Sequence, residues 1–315
     1  MNVQDLVTQY LVYRRALGGR FNTTENVLRS FGRAVGLQIP ANGIRSKIVA
    51  DFLSGNGPIT RTWHFKYRAL KGLFQFAVSR GHMTKVPLPT ELPKSPSAFV
   101  PYIYSHDELR RLLMAIPSCK RLPGRLEPPT LRAILFVLYG AGLRRGEALG
   151  LSVADVNLVN SILTVRDTKF FKSRLVPIGP DLTKVLSDYV RWRSDSHPSA
   201  EARSSFFIGR QGRKIHRWTL QDAFEQLREY ASVRRADGGR YQPRLHDLRH
   251  TFAVHRLTAW YRQGADVQRL IYHLSIYLGH ARLSHTQVYL TMTPELLQRA
   301  GTLFEQYARR EDRNA

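Results

Sequence analysis

The chain has 315 residues, with 48 Lys and Arg against 24 Asp and Glu, a net charge of +24 and a pI near 10.7. So large a basic excess calls for a polyanionic partner, and nucleic acid is the commonest one. No apolar run is long enough to span a bilayer, and the single cysteine, Cys119, excludes an internal disulfide and a cysteine-built zinc site.

The opening Met1-Asn2-Val3-Gln4-Asp5 lacks the basic end and apolar block of a signal peptide, so a cytosolic or nucleoid location, with no membrane partner, is expected. Residues 1–100 carry 14 basic and 4 acidic residues, and the remainder 34 and 20, so both halves are expected to touch the polyanion. Residues 1–80 read as all helix. Val3, Leu6, Val7, Tyr10 and Leu11 form the inward face of a first helix that Gly18-Gly19 ends. A second runs from about Thr24 to Val35, closed by Gly36. A third follows Ser46, read as its N-cap, through Phe52. Thr60 caps a fourth, with Trp63, Tyr67, Leu70, Phe74 and Ala77 inward. The other side of that helix carries Arg61, Lys66, Arg68 and Lys71, expected to contact backbone phosphates.

Pro87, Pro89, Pro93, Pro96 and Pro101 keep the next stretch extended. The expected organisation is a helical domain over residues 1–86, a linker over 87–103 and a second domain over 104–315. Ser105-His106-Asp107-Glu108 has the pattern of a capping box and opens that second domain. Pro129 to Leu151 is apolar and helical, broken at Gly140-Ala141-Gly142, and Arg144 stands at the restart, where glycines let backbone approach a ligand. Ser161 to Val165 and Arg174 to Ile178 read as two strands of a small sheet, with Lys169 and Lys172 in the turn between them. Helices are expected over Asp181 to Arg193 and Leu220 to Val233, with loop and a short extended piece at Phe206-Phe207-Ile208 between them. Another covers Val267 to Tyr277, stopping at Gly279 and leaving His280 at its end; Leu283 to Tyr289 is short, and Pro294 begins a last helix. The fold class is therefore mainly α with a small antiparallel β-sheet in the second domain.

The chain is organised around Arg244-Leu245-His246-Asp247-Leu248-Arg249-His250. On a helix, positions i, i+3 and i+4 share a side, so His246, Arg249 and His250 can point together. The permanent charge of Arg249 speaks against a metal held by the two histidines and for a phosphate gripped by the guanidinium.

Four boxes in order, Gly142-Leu143-Arg144-Arg145-Gly146-Glu147, Leu245 to His250, Leu278-Gly279-His280 and Tyr289, resemble those of the tyrosine recombinases, or phage integrase family. The spacing is also similar: about a hundred residues between the two arginines, and Tyr289 nine after His280. The likeness covers the whole second domain, and the first resembles that family's core-binding domain. It implies that Tyr289 attacks a DNA phosphate to form a 3′-phosphotyrosyl link. A phenol near pKa 10 is roughly one part in a thousand ionised at neutral pH, so it needs help. Arg144 and Arg249 would hold the non-bridging oxygens. His246 would exchange a proton with the tyrosine, His280 would donate to the phosphate, and Lys169 would protonate the departing 5′-oxygen.

No metal, nucleotide or other cofactor enters this scheme, and the sequence has no Walker loop. The implied partners are double-stranded DNA, three further protomers in a tetrameric synapse, and a paralogous recombinase or accessory protein. The helix after Pro294, with Leu296, Leu297, Ala300 and Phe304 apolar, would pack on a neighbouring protomer or within its own chain. Thr168 and Phe170 replace the glycines that often flank the family's hairpin lysine, which leaves Lys172 as a rival of Lys169 or as a DNA contact. Glu147 is expected to brace Arg144 or the helix, and for His250 packing and phosphate contact stand equal. No arm-binding module is expected before residue 1, a layout that resembles the simpler, Xer-like members. Relaxation of the type IB topoisomerase kind, and DNA binding without cutting, are the alternatives.

Overall fold

The computed structural model describes residues 1–315 apart from 19–21, 56–58, 96–98, 120–125, 167–172, 199–200, 202–203, 240, 293–297, 299–300 and 303–315. Two compact units follow one another, one made of Met1–Phe99 and one that begins at Val100.

The first unit holds α1 (Val3–Ala16), α2 (Asn22–Val35), α3 (Ser46–Ser54) and α4 (Arg61–Ser79). Asn2 starts α1 by accepting from the Asp5 N–H at 2.8 Å, and Thr60 starts α4 by accepting from Thr62. Ser46, expected as a cap, is instead the first helical residue of α3; the cap position belongs to Arg45, whose side chain makes no capping bond. The apolar stripes converge on Leu6, Leu28, Phe31, Leu70, Leu73 and Phe74, all fully buried. Burial of each such side chain contributes about 1.5–3 kcal/mol. Of the proline-bearing segment, Leu88 packs on this core and the Pro89 carbonyl accepts from Tyr67.

Tyr102 and Tyr104 belong to the core of the second unit. There the expected capping box is complete: Glu108 N–H donates to Ser105 Oγ at 3.1 Å, and Ser105 N–H to Glu108 Oε2 at 2.8 Å. It opens α5 (His106–Ala115). The central element is α6 (Pro128–Gly140), largely apolar and mostly buried, Arg132 being exposed, with α8 (Pro180–Ser196) and α10 (Asp247–Arg262) packed against it. Between them come the single turn α7 (Arg145–Ala148) and α9 (Arg217–Tyr230), and after them α11 (Val267–Leu278) and α12 (Ser284–Gln287).

The sheet is antiparallel in the order β1-β2-β3, with β2 (Ile162–Val165) between β3 (Arg174–Pro177) and β1 (Val156–Asn157). Register sets Leu163 opposite Val176 and Val165 opposite Arg174. The first strand was not expected; two residues are too few to show alternation. The extended piece at 206–208 forms only isolated bridges, Ser152 to Ser205 and Ile208 to Lys214. The hairpin tip with Lys169 and Lys172, and the stripe of Leu296, Leu297, Ala300 and Phe304, lie outside the described residues. Among the described residues no helix is long and apolar enough to cross a membrane.

Candidate active site

Two glycine turns and a 3₁₀ turn build the site. At the first, α6 stops and Gly142 takes a left-handed φ of +59°; a Cβ there would sit 2.5 Å from the Phe252 ring. The turn delivers Arg144 to the start of α7. At the second, α11 ends on Gly279 at φ +66°, where a Cβ would meet the Arg174 guanidinium at 2.9 Å. That turn delivers His280. The 3₁₀ turn, Val288–Thr291, continues α12 and carries Tyr289.

Arg144 and Arg249 converge from opposite sides. Arg144 Nη2 donates to the Gly279 carbonyl at 3.0 Å, and Arg249 Nη2 to the neighbouring Leu278 carbonyl at 2.6 Å. Arg249 Nη1 also donates to the Gly142 carbonyl at 2.6 Å, so this one guanidinium ties two of the turns together. Its side chain is 2% exposed and that of Arg144 is 38% exposed. Arg144 is thus the half of the pair open to solvent. Burial, with Arg144 nearby, lowers the Arg249 pKa to about 10, which leaves it a cation at neutral pH.

Glu147 lies at the hub. It accepts from Arg144 Nη1 at 2.7 Å and from the Arg144 backbone N–H at 3.0 Å. Arg174 meets it fork to fork, Nη1 to Oε1 at 3.1 Å and Nη2 to Oε2 at 2.9 Å, and Arg249 lies 3.8 Å away. Burial alone would raise the carboxyl; the paired Arg174 and Arg144 outweigh it and hold its pKa at about 2. The carboxylate therefore carries no proton to trade at neutral pH, and its work is to fix arginines. Arg174 Nε also donates to the Tyr277 carbonyl, which joins β3 to the end of α11.

Tyr289 is 3% exposed, and burial raises its phenol pKa while Arg249 and Arg144 pull it back. Its hydroxyl lies 3.0 Å from His250 Nδ1. His246, expected to serve the tyrosine, occupies the cap position of α10, one turn before His250, with its ring edge to face to that of His250 at 5.0 Å. His280 is held through Nδ1 to Thr286 Oγ1 at 2.7 Å, with its ring 6.2 Å from that of Tyr289. Burial and the flanking Arg249 and Arg144 push its pKa down to about 3, so it is neutral at working pH.

Five of the six residues singled out from the sequence, Arg144, His246, Arg249, His280 and Tyr289, are therefore gathered at one place; the sixth, Lys169, lies outside the described residues. The sequence reading missed Arg174 and Thr286 and left His250 undecided. An arginine at the inward end of a strand was the available signal for Arg174. On α4, Arg61, Arg68 and Lys71 are exposed. Lys66 differs: its ammonium donates to the Phe52 carbonyl at 2.8 Å and lies 4.6 Å over the Phe52 ring, so packing of α3 on α4 occupies it.

Residues 104–295 match the family model described as the phage integrase family. The putative integrase/recombinase y4rB of Sinorhizobium fredii is 33% identical over 310 residues, covering 98% of each chain. The tyrosine recombinase XerA of Pyrococcus furiosus is 31% identical, covering 79% of this chain and 76% of that protein. Among solved structures, the Tn1549 transposon integrase in complex with a circular intermediate DNA superposes with a TM-score of 0.71 at 18% identity, over 98% of this chain and 99% of that one.

Proposed function

Because this chain belongs to the phage integrase family, we propose that it works as a site-specific tyrosine recombinase in which Tyr289 attacks a DNA phosphate and holds the broken strand as a 3′-phosphotyrosyl ester. The single observation that carries the assignment is the convergence of Arg144 and Arg249 on consecutive carbonyls beside the buried phenol.

Chemistry follows from the groups present. A phosphodiester under attack gains charge on its non-bridging oxygens, and two fixed guanidiniums meet that charge where it develops. Arg144, the exposed one, receives the phosphate first. His280, neutral and fixed by Thr286, donates to a non-bridging oxygen, and exposed His246 faces the same group. The 5′-oxygen departs with a proton from Lys169, with Lys172 as the rival donor. The ester conserves the energy of the broken bond, and a second 5′-hydroxyl reclaims it, so strands are exchanged without an added energy source.

Double-stranded DNA is the substrate. Residues 1–86 form the core-binding domain, with Arg61, Arg68 and Lys71 on its phosphate-facing side, and residues 104–315 carry out catalysis. Four protomers act in one synapse on two duplexes, in the cytoplasm at the nucleoid. Similarity to a transposon integrase and to rhizobial integrase/recombinases supports a role in moving a mobile element. The assay is a nicked duplex carrying the cognate site, which traps the adduct because the cut fragment diffuses away. Wild type is expected to form a covalent complex, and Tyr289→Phe to shift the duplex in a gel without forming one. An adduct formed equally by Tyr289→Phe would remove the tyrosine from its role.

A further inference from the structure

The phenol of Tyr289 must lose a proton as it attacks, and its surroundings restrict where that proton can go. Arg249 and Arg144, the two charges that act on it, are cations with no lone pair to offer. His280 has Nδ1 committed to Thr286, and its ring centre is 6.2 Å from the phenol ring. His246 touches His250 and makes no hydrogen bond to the phenol. Among the described residues, one ring nitrogen is in hydrogen-bond contact with the hydroxyl, Nδ1 of His250 at 3.0 Å.

We propose that His250, and not His246, is the base that takes the Tyr289 proton during strand cleavage and returns it during rejoining. This rests on the reading of Tyr289 as the nucleophile. In cleavage the O–H pair stays on the phenol oxygen and becomes the new O–P bond, while the proton passes to Nδ1. The P–O5′ bond breaks with its electron pair going to the 5′-oxygen, which is protonated by the site's general acid. Rejoining reverses each transfer, so the imidazolium then protonates the departing phenol oxygen.

The groups facing His250 fit this cycle. Burial, then His246, Arg244 and Arg249, lower its pKa to about 4 against the opposing pull of Asp247. The resting imidazole is neutral, and in the tautomer protonated on Nε2 its Nδ1 accepts from the phenol. Tyr289 faces it from the 3₁₀ turn and His280 from the end of α11. A phosphate entering between the arginines brings negative charge to this cluster and makes the imidazole more basic. The phenol becomes more acidic as its bond to phosphorus forms, so transfer is driven in the transition state.

Replacement by Asn separates a base from a hydrogen-bond partner, since its amide oxygen can accept from the phenol but takes no proton. On the nicked duplex, His250→Asn and His250→Ala are both expected to cleave roughly a hundredfold or more slowly than wild type, with gel-shift affinity and melting temperature retained. Their residual rate is expected to climb about tenfold per pH unit between pH 6 and 9, as hydroxide replaces the missing base, while wild type stays level. His246→Asn is expected to keep the level profile. A second assay bypasses the proton. Tyr289→Ala joins a strand ending in a 3′-p-nitrophenyl phosphate to a 5′-hydroxyl, and p-nitrophenolate leaves without protonation. Adding His250→Asn to that variant is expected to cost less than threefold. Wild-type cleavage by His250→Asn, a rising profile in His246→Asn, or a large further loss in the double variant would each overturn the proposal. An adduct formed by Tyr289→Phe would instead overturn the nucleophile itself, so the two failures are distinguishable.

Discussion

Arg174 and Glu147 face each other through two parallel hydrogen bonds of 3.1 and 2.9 Å, with side chains 13% and 9% exposed. The pair links the first strand residue after the lysine hairpin to the turn that presents Arg144.

Truncation at Arg174 leaves Glu147 almost buried with Arg144 as its remaining close partner. Because Arg144 still pairs with Glu147, the cost falls below the roughly 3–5 kcal/mol of leaving a buried charge with no partner. Arg174→Ala is expected to lower the melting temperature in calorimetry and to slow cleavage without weakening the gel shift. Arg174→Lys keeps the charge but not the two-pronged geometry, and is expected to fall between the two.

Arg144 and Arg249, the two arginines proposed to hold the phosphate, are expected to separate in stability but not in chemistry. Either Arg144→Ala or Arg249→Ala should reduce single-turnover cleavage by roughly a hundredfold or more. Arg144→Ala should cost the smaller part of the stability, since Arg144 is 38% exposed and Glu147 keeps its two bonds to Arg174. Arg249→Ala strands the Gly142 and Leu278 carbonyls inside the protein and should also lower the melting temperature.

Acid should unfold the second unit in two stages. His250 and His280 have folded pKa values of about 4 and 3, below the ordinary value of 6.5. The unfolded chain therefore binds protons that the fold refuses. Their contribution is present above pH 6.5 and is lost as pH falls through 4, at about 3 kcal/mol for His250. Glu147, held at about 2, gives stability that is full above 4.5 and lost as pH falls toward 2. Melting curves from pH 7 to 3 should show His250→Asn flatter than wild type between pH 6.5 and 4, and Glu147→Gln flatter below 4.5.

Gly142→Ala should damage the site from a distance. The left-handed φ of +59° disfavours any side chain, and a Cβ 2.5 Å from Phe252 has no room. Because the Gly142 carbonyl holds Arg249, loss of stability and loss of cleavage should appear together. A variant that melts and cleaves like wild type would show that this turn does not position the arginine.

The helical parts of the fold were legible because their signals are local. Ser105 and Glu108 form the capping box their spacing indicates, Gly279 stops α11, and apolar periodicity marks the cores of α1, α4 and α6. The boxes singled out Arg144, Arg249, His280 and Tyr289, which the fold brings together, because each sits at a turn or helix face with its own sequence mark. What stayed hidden depends on contacts between distant segments. Glu147 is 27 residues from Arg174, and His250 is 39 from Tyr289. Position on the helix put His246 and His250 on one side and could not say which of them meets a residue on another element. Strand β1 was invisible because two residues carry no period.

The central claim is that the phenol of Tyr289, seated beside Arg249 and His250, becomes bonded to DNA. Peptide mapping of the trapped adduct tests it most directly. After nuclease and protease digestion, mass spectrometry is expected to place a nucleotide 3′-phosphate on the peptide containing Tyr289. A 5′-linked nucleotide, or a label on any other residue, would contradict the account.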